Sequence, residues 1–275
     1  MDIASSICLN IIAFFCGLTT QRCKKNNTLL PIVILCTLGF AQGYIFKHFT
    51  TTKKITYILS ACLLISNILG RNLEMIGLTG GIASGKSTVI NTIKENFKNI
   101  GIIDCDAIAK EVVTPDKRAY RAIVKAFGKD ILAPSGELNR DKLANLIFSD
   151  KNARTKLNRI IQPYIFFEII KRVLGFRIKG VSNVVLDAPL LFESKILTYF
   201  CCPIITVYVK NNDLWLERLC KRDSINVQKA QERIACQMPI EQKIQKSDIV
   251  VDNSGTLSQL EAKLITVFGK ITNSK

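Results

Sequence analysis

Residues 75–88 read MIGLTGGIASGKST, and few folds can accommodate that stretch. An apolar, strand-like run leads into Gly80-x-x-x-x-Gly85-Lys86-Ser87, and VINTIKENF follows with helical spacing. Strand, glycine-bounded loop and helix therefore come in the order that a phosphate-binding loop requires. Gly80 and Gly85 allow backbone angles and close approaches that a side chain would forbid, so successive amide N–H groups can turn inward toward phosphate oxygens. A helix starting near Lys86 adds its positive dipole end. Lys86 can reach the outer phosphates as a point charge, and the Ser87 hydroxyl can ligate Mg²⁺. The candidate loop is Gly80, Gly81, Ile82, Ala83, Ser84, Gly85, Lys86, Ser87 and Thr88.

Further strand-like runs occur at Ile100–Asp104, Val184–Asp187, Ile204–Val209 and Asp248–Asp252, with helical segments between them. This alternation predicts an α/β fold, a parallel sheet covered by helices on both faces, with ligands gathered at the carboxyl ends of the strands. Asp104, Asp106 and Asp187 fall at such ends. Asp187, after Val184, Val185 and Leu186, fits either a strand-end ligand of Mg²⁺ or a turn or capping aspartate before Pro189. Asp106 lies just past a strand, where a carboxylate can take a proton from an attacking hydroxyl or can cap a helix.

Residues 108–180 are mostly helical in pattern, with a turn at Pro134-Ser135-Gly136, and are long enough for an insertion carrying a substrate pocket. Farther on, LWLERLCKRD and INVQKAQERIACQMP read as two charged helices joined by a short turn. Arg218 and Arg222 lie four apart, on one helical face. That face suits either a lid closing over phosphates, at about residues 212–240, or a solvated row of ion pairs.

The net charge of +16 fits a chain that handles polyanionic small molecules, nucleic acid or an anionic membrane surface. No aromatic-and-basic RNA-binding signature occurs and the basic residues are dispersed along helices, so nucleic acid is not an expected partner. The ten cysteines form no C-x-x-C pair, which indicates neither a zinc site nor a disulfide framework and suits a reducing compartment. Mean hydropathy is nevertheless +0.22. The cause is residues 1–74, where Asp2 and Glu74 are the only acids and three uncharged runs occur, Ile3–Thr20, Leu29–Phe46 and Ile55–Gly70. Each is near the lower length limit for a membrane span, and the middle run is the best candidate. A cleaved targeting sequence, or an upstream extension that the mature protein lacks, are the alternatives. His48, the sole histidine, lies among loop residues there and is read as solvated.

The succession TGGIASGKST, IDCDAIAKEVV, FGKDIL, GELNRDKL, APLLFE, LERLCKRD, RIACQMP and VVDNSG resembles the dephospho-CoA kinase family in order and approximate spacing, from Met75 to about Leu264. The resemblance implies a P-loop kinase core, a helical domain that receives the CoA-like substrate and a mobile lid. The implied reaction is ATP-dependent phosphorylation of the ribose 3′-hydroxyl of dephospho-CoA, with Mg²⁺ accompanying ATP. Asp106 then matches the family's proposed general base, Arg140 the arginine of the substrate-domain G-x-x-x-R segment, and Arg218 and Arg222 lid positions. The competing readings are a P-loop kinase for another nucleoside or nucleotide, and a non-catalytic membrane-tethered ATP-binding protein.

The chain departs from the family pattern at four places. Ala83 stands for a more usual glycine, which is tolerable if its φ is negative. Gln162-Pro163 stands for a frequent His-Pro, Trp215 for a frequent glutamine and Ser247 for a frequent alanine. The expected organisation is a hydrophobic segment at 1–74 and a kinase domain at 75–275. Too small and too apolar for the adenylyltransferase domain that some relatives carry upstream, the N-terminal segment is expected to contribute location through residues 3–70. The kinase is then membrane-associated, mitochondrial or endomembrane, on an ATP-containing side, and cytoplasmic if that segment is absent.

Overall fold

The computed structural model describes Gly70 and residues 72–273, Lys195 excepted. The three apolar runs, apart from Gly70, lie outside the described residues. Among the described residues no helix is long and apolar enough to cross a membrane.

The described chain divides into two compact units, residues 72–101 with 181–273, and Ile102–Gly180. The expected insertion at 108–180 compares with a unit that begins at Ile102, inside the second strand.

Five strands, β1 (Met75–Gly80), β2 (Ile100–Asp104), β3 (Asn183–Asp187), β4 (Cys201–Tyr208) and β5 (Ile249–Asp252), form one sheet in the order β2-β3-β1-β4-β5. β1 runs parallel to both β3 and β4, and β4 parallel to β5. All residues of β1 and β3 are buried, as expected of strands covered on both faces, which is why they read as continuous apolar runs. Leu78 is level with Asp187, Gly80 with Val207, and Tyr208 with Asp252, so the chain leaves these strands at the same, carboxyl end of the sheet.

Helix α1 (Lys86–Asn96) follows β1 and buries Val89, Ile90 and Ile93, a helical spacing. Phe97 after α1 packs its ring 5.8 Å from that of Phe268 on the last helix.

The second unit is helical: α2 (Cys105–Glu111), α3 (Arg118–Phe127), α4 (Arg140–Ser149) and α5 (Lys151–Ile178). Its core is Ile123, Ile131 and Leu157, with Phe127, Leu132 and Leu138 packed around it. Pro134-Ser135-Gly136 makes the expected turn, closed by the antiparallel bridge between Leu132 and Leu138. Gln162 is exposed along α5, whose Pro163 lies inside the helix. Arg172 on α5 ties α2 to α5 by pairing with Glu111, and also bonds Glu168 at 3.3 Å.

The first unit is completed by α6 (Asn212–Asp223), α7 (Val227–Ala235), α8 (Ile240–Lys246) and α9 (Leu257–Asn273). α6 and α7 fall within the two charged helices of the expected lid. Ser247, at the end of α8, donates to the Lys243 carbonyl at 2.6 Å and shares a hydrogen bond with Thr206 of β4. A hydroxyl at this position thus gains partners that alanine would lack.

Candidate active site

β1 ends at Gly80 and α1 begins at Lys86, so the loop of the sequence motif lies between a buried strand and a helix N-terminus. A Cβ on Gly80 would come within 2.5 Å of the Val207 carbonyl oxygen, so this position excludes every side chain. Gly85, the residue before α1, has φ +89° and would collide with the Asn253 amide if it carried a Cβ. Both demands follow from chain geometry rather than from general flexibility. No side chain caps α1, which leaves its first amide groups to an acceptor from outside the helix, as an anion-binding helix start requires. The Ser84 hydroxyl is buried and has no hydrogen-bond partner among the described residues.

Ala83 corrects one expectation. Its φ is +56°, in the left-handed region, instead of the negative value that would make alanine innocuous. A Cβ there costs about 1 kcal/mol. The surrounding side chains therefore have to hold the loop in shape. Ile82 donates its N–H to Gln237 Oε1 at 3.1 Å and accepts at its carbonyl from Trp215 Nε1 at 2.6 Å. Asn253 Nδ2 donates to the Ser84 carbonyl at 2.9 Å.

Lys86 Nζ donates to Asp187 Oδ1, so the loop lysine and the strand-end aspartate are partners. The segment after Asp187 is held firmly: Ala188 N–H bonds the Leu78 carbonyl at 3.0 Å, and the Pro189 carbonyl accepts from Thr79 Oγ1 at 3.1 Å and Lys243 Nζ at 2.9 Å. Lys243 is fully buried, and its charge is matched by Glu193 at 3.2 Å. Ser87 is exposed at the start of α1. Its hydroxyl and the Asp187 carboxylate are the groups that the sequence offers as oxygen ligands for a divalent cation. Among the described residues there is no cluster of three or more His, Cys, Asp or Glu groups able to hold a metal by itself.

Arg218 and Arg222 take different roles. Arg218 donates to the Asn253 carbonyl at 2.8 Å, joining α6 to the end of β5. Arg222 is exposed and pairs with Asp223, which also pairs with Arg233 of α7. The hydrogen bond from Arg222 holds the Asp223 carboxyl below its ordinary value, with Arg233 adding to the effect and the carboxyl's own desolvation opposing it. Asp252 is pulled both ways: burial pushes it up, but hydrogen bonds from Ser254 and the Lys263 charge outweigh burial and hold it below the ordinary value.

In the other unit Asp104 is the cap of α2, accepting from the N–H groups of Asp106 and Ala107 at 2.8 and 3.0 Å. The capping alternative therefore belongs to Asp104, and Asp106 occupies the exposed first turn of α2. Arg140 is the first residue of α4, and its side chain lies outside those described.

Sequence reasoning missed Gln237 and Asn253 as parts of this site. Asn253 carried a usable signal, since it directly follows a strand of the sheet. Gln237 lies in the RIACQMP segment of the family pattern, but its contact with Ile82, across 155 positions of chain, could not be read from that.

Residues 74–259 match the family model described as dephospho-CoA kinase. A dephospho-CoA kinase domain-containing protein from Danio rerio is 40% identical over 197 residues, covering 72% of this chain and 85% of the relative. Dephospho-CoA kinase from Bacillus thuringiensis is 43% identical over 196 residues, covering 71% and 96%. Among solved structures, one from Thermus thermophilus aligns with TM-score 0.58 at 27% identity, over 72% of this chain and 97% of that one. Dephospho-CoA kinase from Campylobacter jejuni aligns with TM-score 0.56 at 24% identity, over 73% and 98%, a likeness of fold.

Proposed function

The chain belongs to the dephospho-CoA kinase family, and we propose that the Gly80–Thr88 loop, Asp187 and Asp106 perform that family's phosphoryl transfer in three separate roles. The enzyme is a kinase of the final step of CoA biosynthesis. The observation that carries the assignment of roles is the contact between Lys86, at the head of α1, and Asp187, at the end of the adjacent strand.

The loop amides and the uncapped start of α1 bind the ATP phosphates, and Lys86 offsets charge on the transferring group. Asp106 takes or orients the proton of the ribose 3′-hydroxyl of dephospho-CoA, a role supported by its strand-end position and by Asp104 having the capping duty. Arg140 contacts the acceptor substrate. Arg218 and Arg222 meet phosphate oxygens from the lid, Arg222 exchanging Asp223 for them.

The donor set fits Mg²⁺, because a hydroxyl and a carboxylate are hard oxygen ligands and this ion ordinarily leaves its remaining positions to phosphates and water. Ser87 and Asp187 would hold it, and when bound it neutralises phosphate charge. Transfer otherwise rests on alignment and on excluding water. The test is a panel of acceptors offered to the full chain with ATP.

Residues 3–70 attach the kinase to a membrane, a reading supported by the three uncharged runs and their scarcity of acids. Full-length protein should then resist carbonate extraction from membranes. Recovery of uncleaved full-length protein wholly in the soluble fraction would refute the anchor.

A further inference from the structure

The loop is gripped by side chains from distant parts of the chain. Trp215, buried on α6, lies against Gly81, where an added Cβ would come 2.7 Å from the indole ring. The same ring donates its N–H to the Ile82 carbonyl at 2.6 Å, while Gln237, just past α7, accepts the Ile82 N–H at 3.1 Å. Two successive peptide planes of the loop are thus fixed, one through each polar group of Ile82. The second of these planes is the one whose rotation about the N–Cα bond of the next residue defines the φ of Ala83. That φ is +56°, which an alanine avoids unless its surroundings impose it.

We propose that Trp215 and Gln237 form a two-sided clamp on Ile82 that keeps Ala83 left-handed, and that Trp215 is thereby a positioning residue for ATP binding. Without the indole N–H the Ile82–Ala83 peptide is able to rotate, Ala83 relaxes to negative φ, and the loop amides no longer converge. Affinity for the nucleotide falls with the fraction of molecules whose loop retains the binding shape. The chemical step, taken once ATP is bound, changes little because Trp215 acts through the loop. This inference rests on the reading of Gly80–Thr88 as the ATP-phosphate site.

The test uses the full chain and four variants, Trp215→Phe, Gln237→Leu, Ala83→Gly and the double variant Trp215→Phe with Ala83→Gly. ADP affinity is read by calorimetry, and KM for ATP and kcat by ADP release. Phenylalanine removes the N–H donor together with part of the indole edge that faces Gly81, and Gln237→Leu, which leaves the ring in place, serves as the independent variant. Trp215→Phe should weaken ADP binding and raise KM for ATP about fivefold, the value of one ordinary hydrogen bond, with kcat changed less than about twofold. Gln237→Leu should act in the same direction. Glycine is at ease at positive φ, so Ala83→Gly should restore most of the lost affinity in the Trp215→Phe background. Unchanged ADP affinity in both Trp215→Phe and Gln237→Leu, or a loss that Ala83→Gly leaves unrepaired, would overturn the clamp. Failure of the wild-type chain to bind ADP at all would instead remove the phosphate-site reading on which the clamp depends.

Discussion

Lys86 and Asp187 form an ion pair whose side chains retain only 15% and 10% of their exposure. Each charge at this depth relies on the other, and in the proposed reaction each has a second partner, phosphate for the lysine and the divalent cation for the aspartate. Replacing Lys86 by Met should lower kcat/KM at least about a hundredfold, the usual loss on removing one such charge-stabilising group. Asp187→Asn and Lys86→Met should each destabilise the fold, by about 1 to 3 kcal/mol, more than the double variant does, because each single change removes one partner of a shielded ion pair. Thermal unfolding of the three variants checks this, and strictly additive effects would contradict it.

Asp106 should separate chemistry from nucleotide binding. Asp106→Asn is nearly isosteric and cannot accept a proton. The expected result is a kcat lower by about a hundredfold or more, with ADP affinity within about twofold of wild type. Near-normal turnover would remove Asp106 from the mechanism. Because Asp104 carries the cap of α2, the substitution should leave the unfolding temperature close to that of the parent.

Asp252 makes a prediction about pH. It bonds the backbone and hydroxyl of Ser254 at 2.9 and 2.6 Å, and its folded-state value lies below the ordinary 3.8. A carboxyl depressed on folding stabilises the folded state fully above its unfolded value, and that contribution disappears as the pH falls through the folded value. The unfolding temperatures of wild type and Asp252→Asn should therefore differ most well above the ordinary carboxylate range and converge as the pH falls through the lowered folded-state value. A gap that widens in acid would refute this sign. The adjacent Asn253 holds the Ser84 carbonyl, so this turn also supports the phosphate loop.

The parts of the site that were legible in the sequence are those encoded locally. The β1–loop–α1 unit is contiguous, and both of its end glycines prove to be required, Gly80 by packing and Gly85 by packing and φ. Asp187 was legible as a strand-end acid, because buried parallel strands announce themselves as uninterrupted apolar runs. What holds the loop was not legible. Trp215 meets Ile82 across 133 positions, and the sequence reads it only as a departure from a family pattern. The φ of Ala83, +56°, is likewise one that local propensity disfavours for alanine. Arg222 illustrates a different limit: helical spacing placed it beside Arg218, but spacing cannot reveal that Asp223 and Arg233 complete an ion-paired cluster around it.

Purified full-length protein supplied with ATP and Mg²⁺ is offered dephospho-CoA and, separately, a set of nucleosides and nucleoside monophosphates. Dephospho-CoA should be converted to CoA with one ADP released per CoA formed, the new phosphate should lie on the ribose 3′-oxygen, and the other acceptors should give ADP only at the background rate. Phosphorylation of nucleosides or nucleotides with dephospho-CoA left unchanged would contradict this substrate assignment.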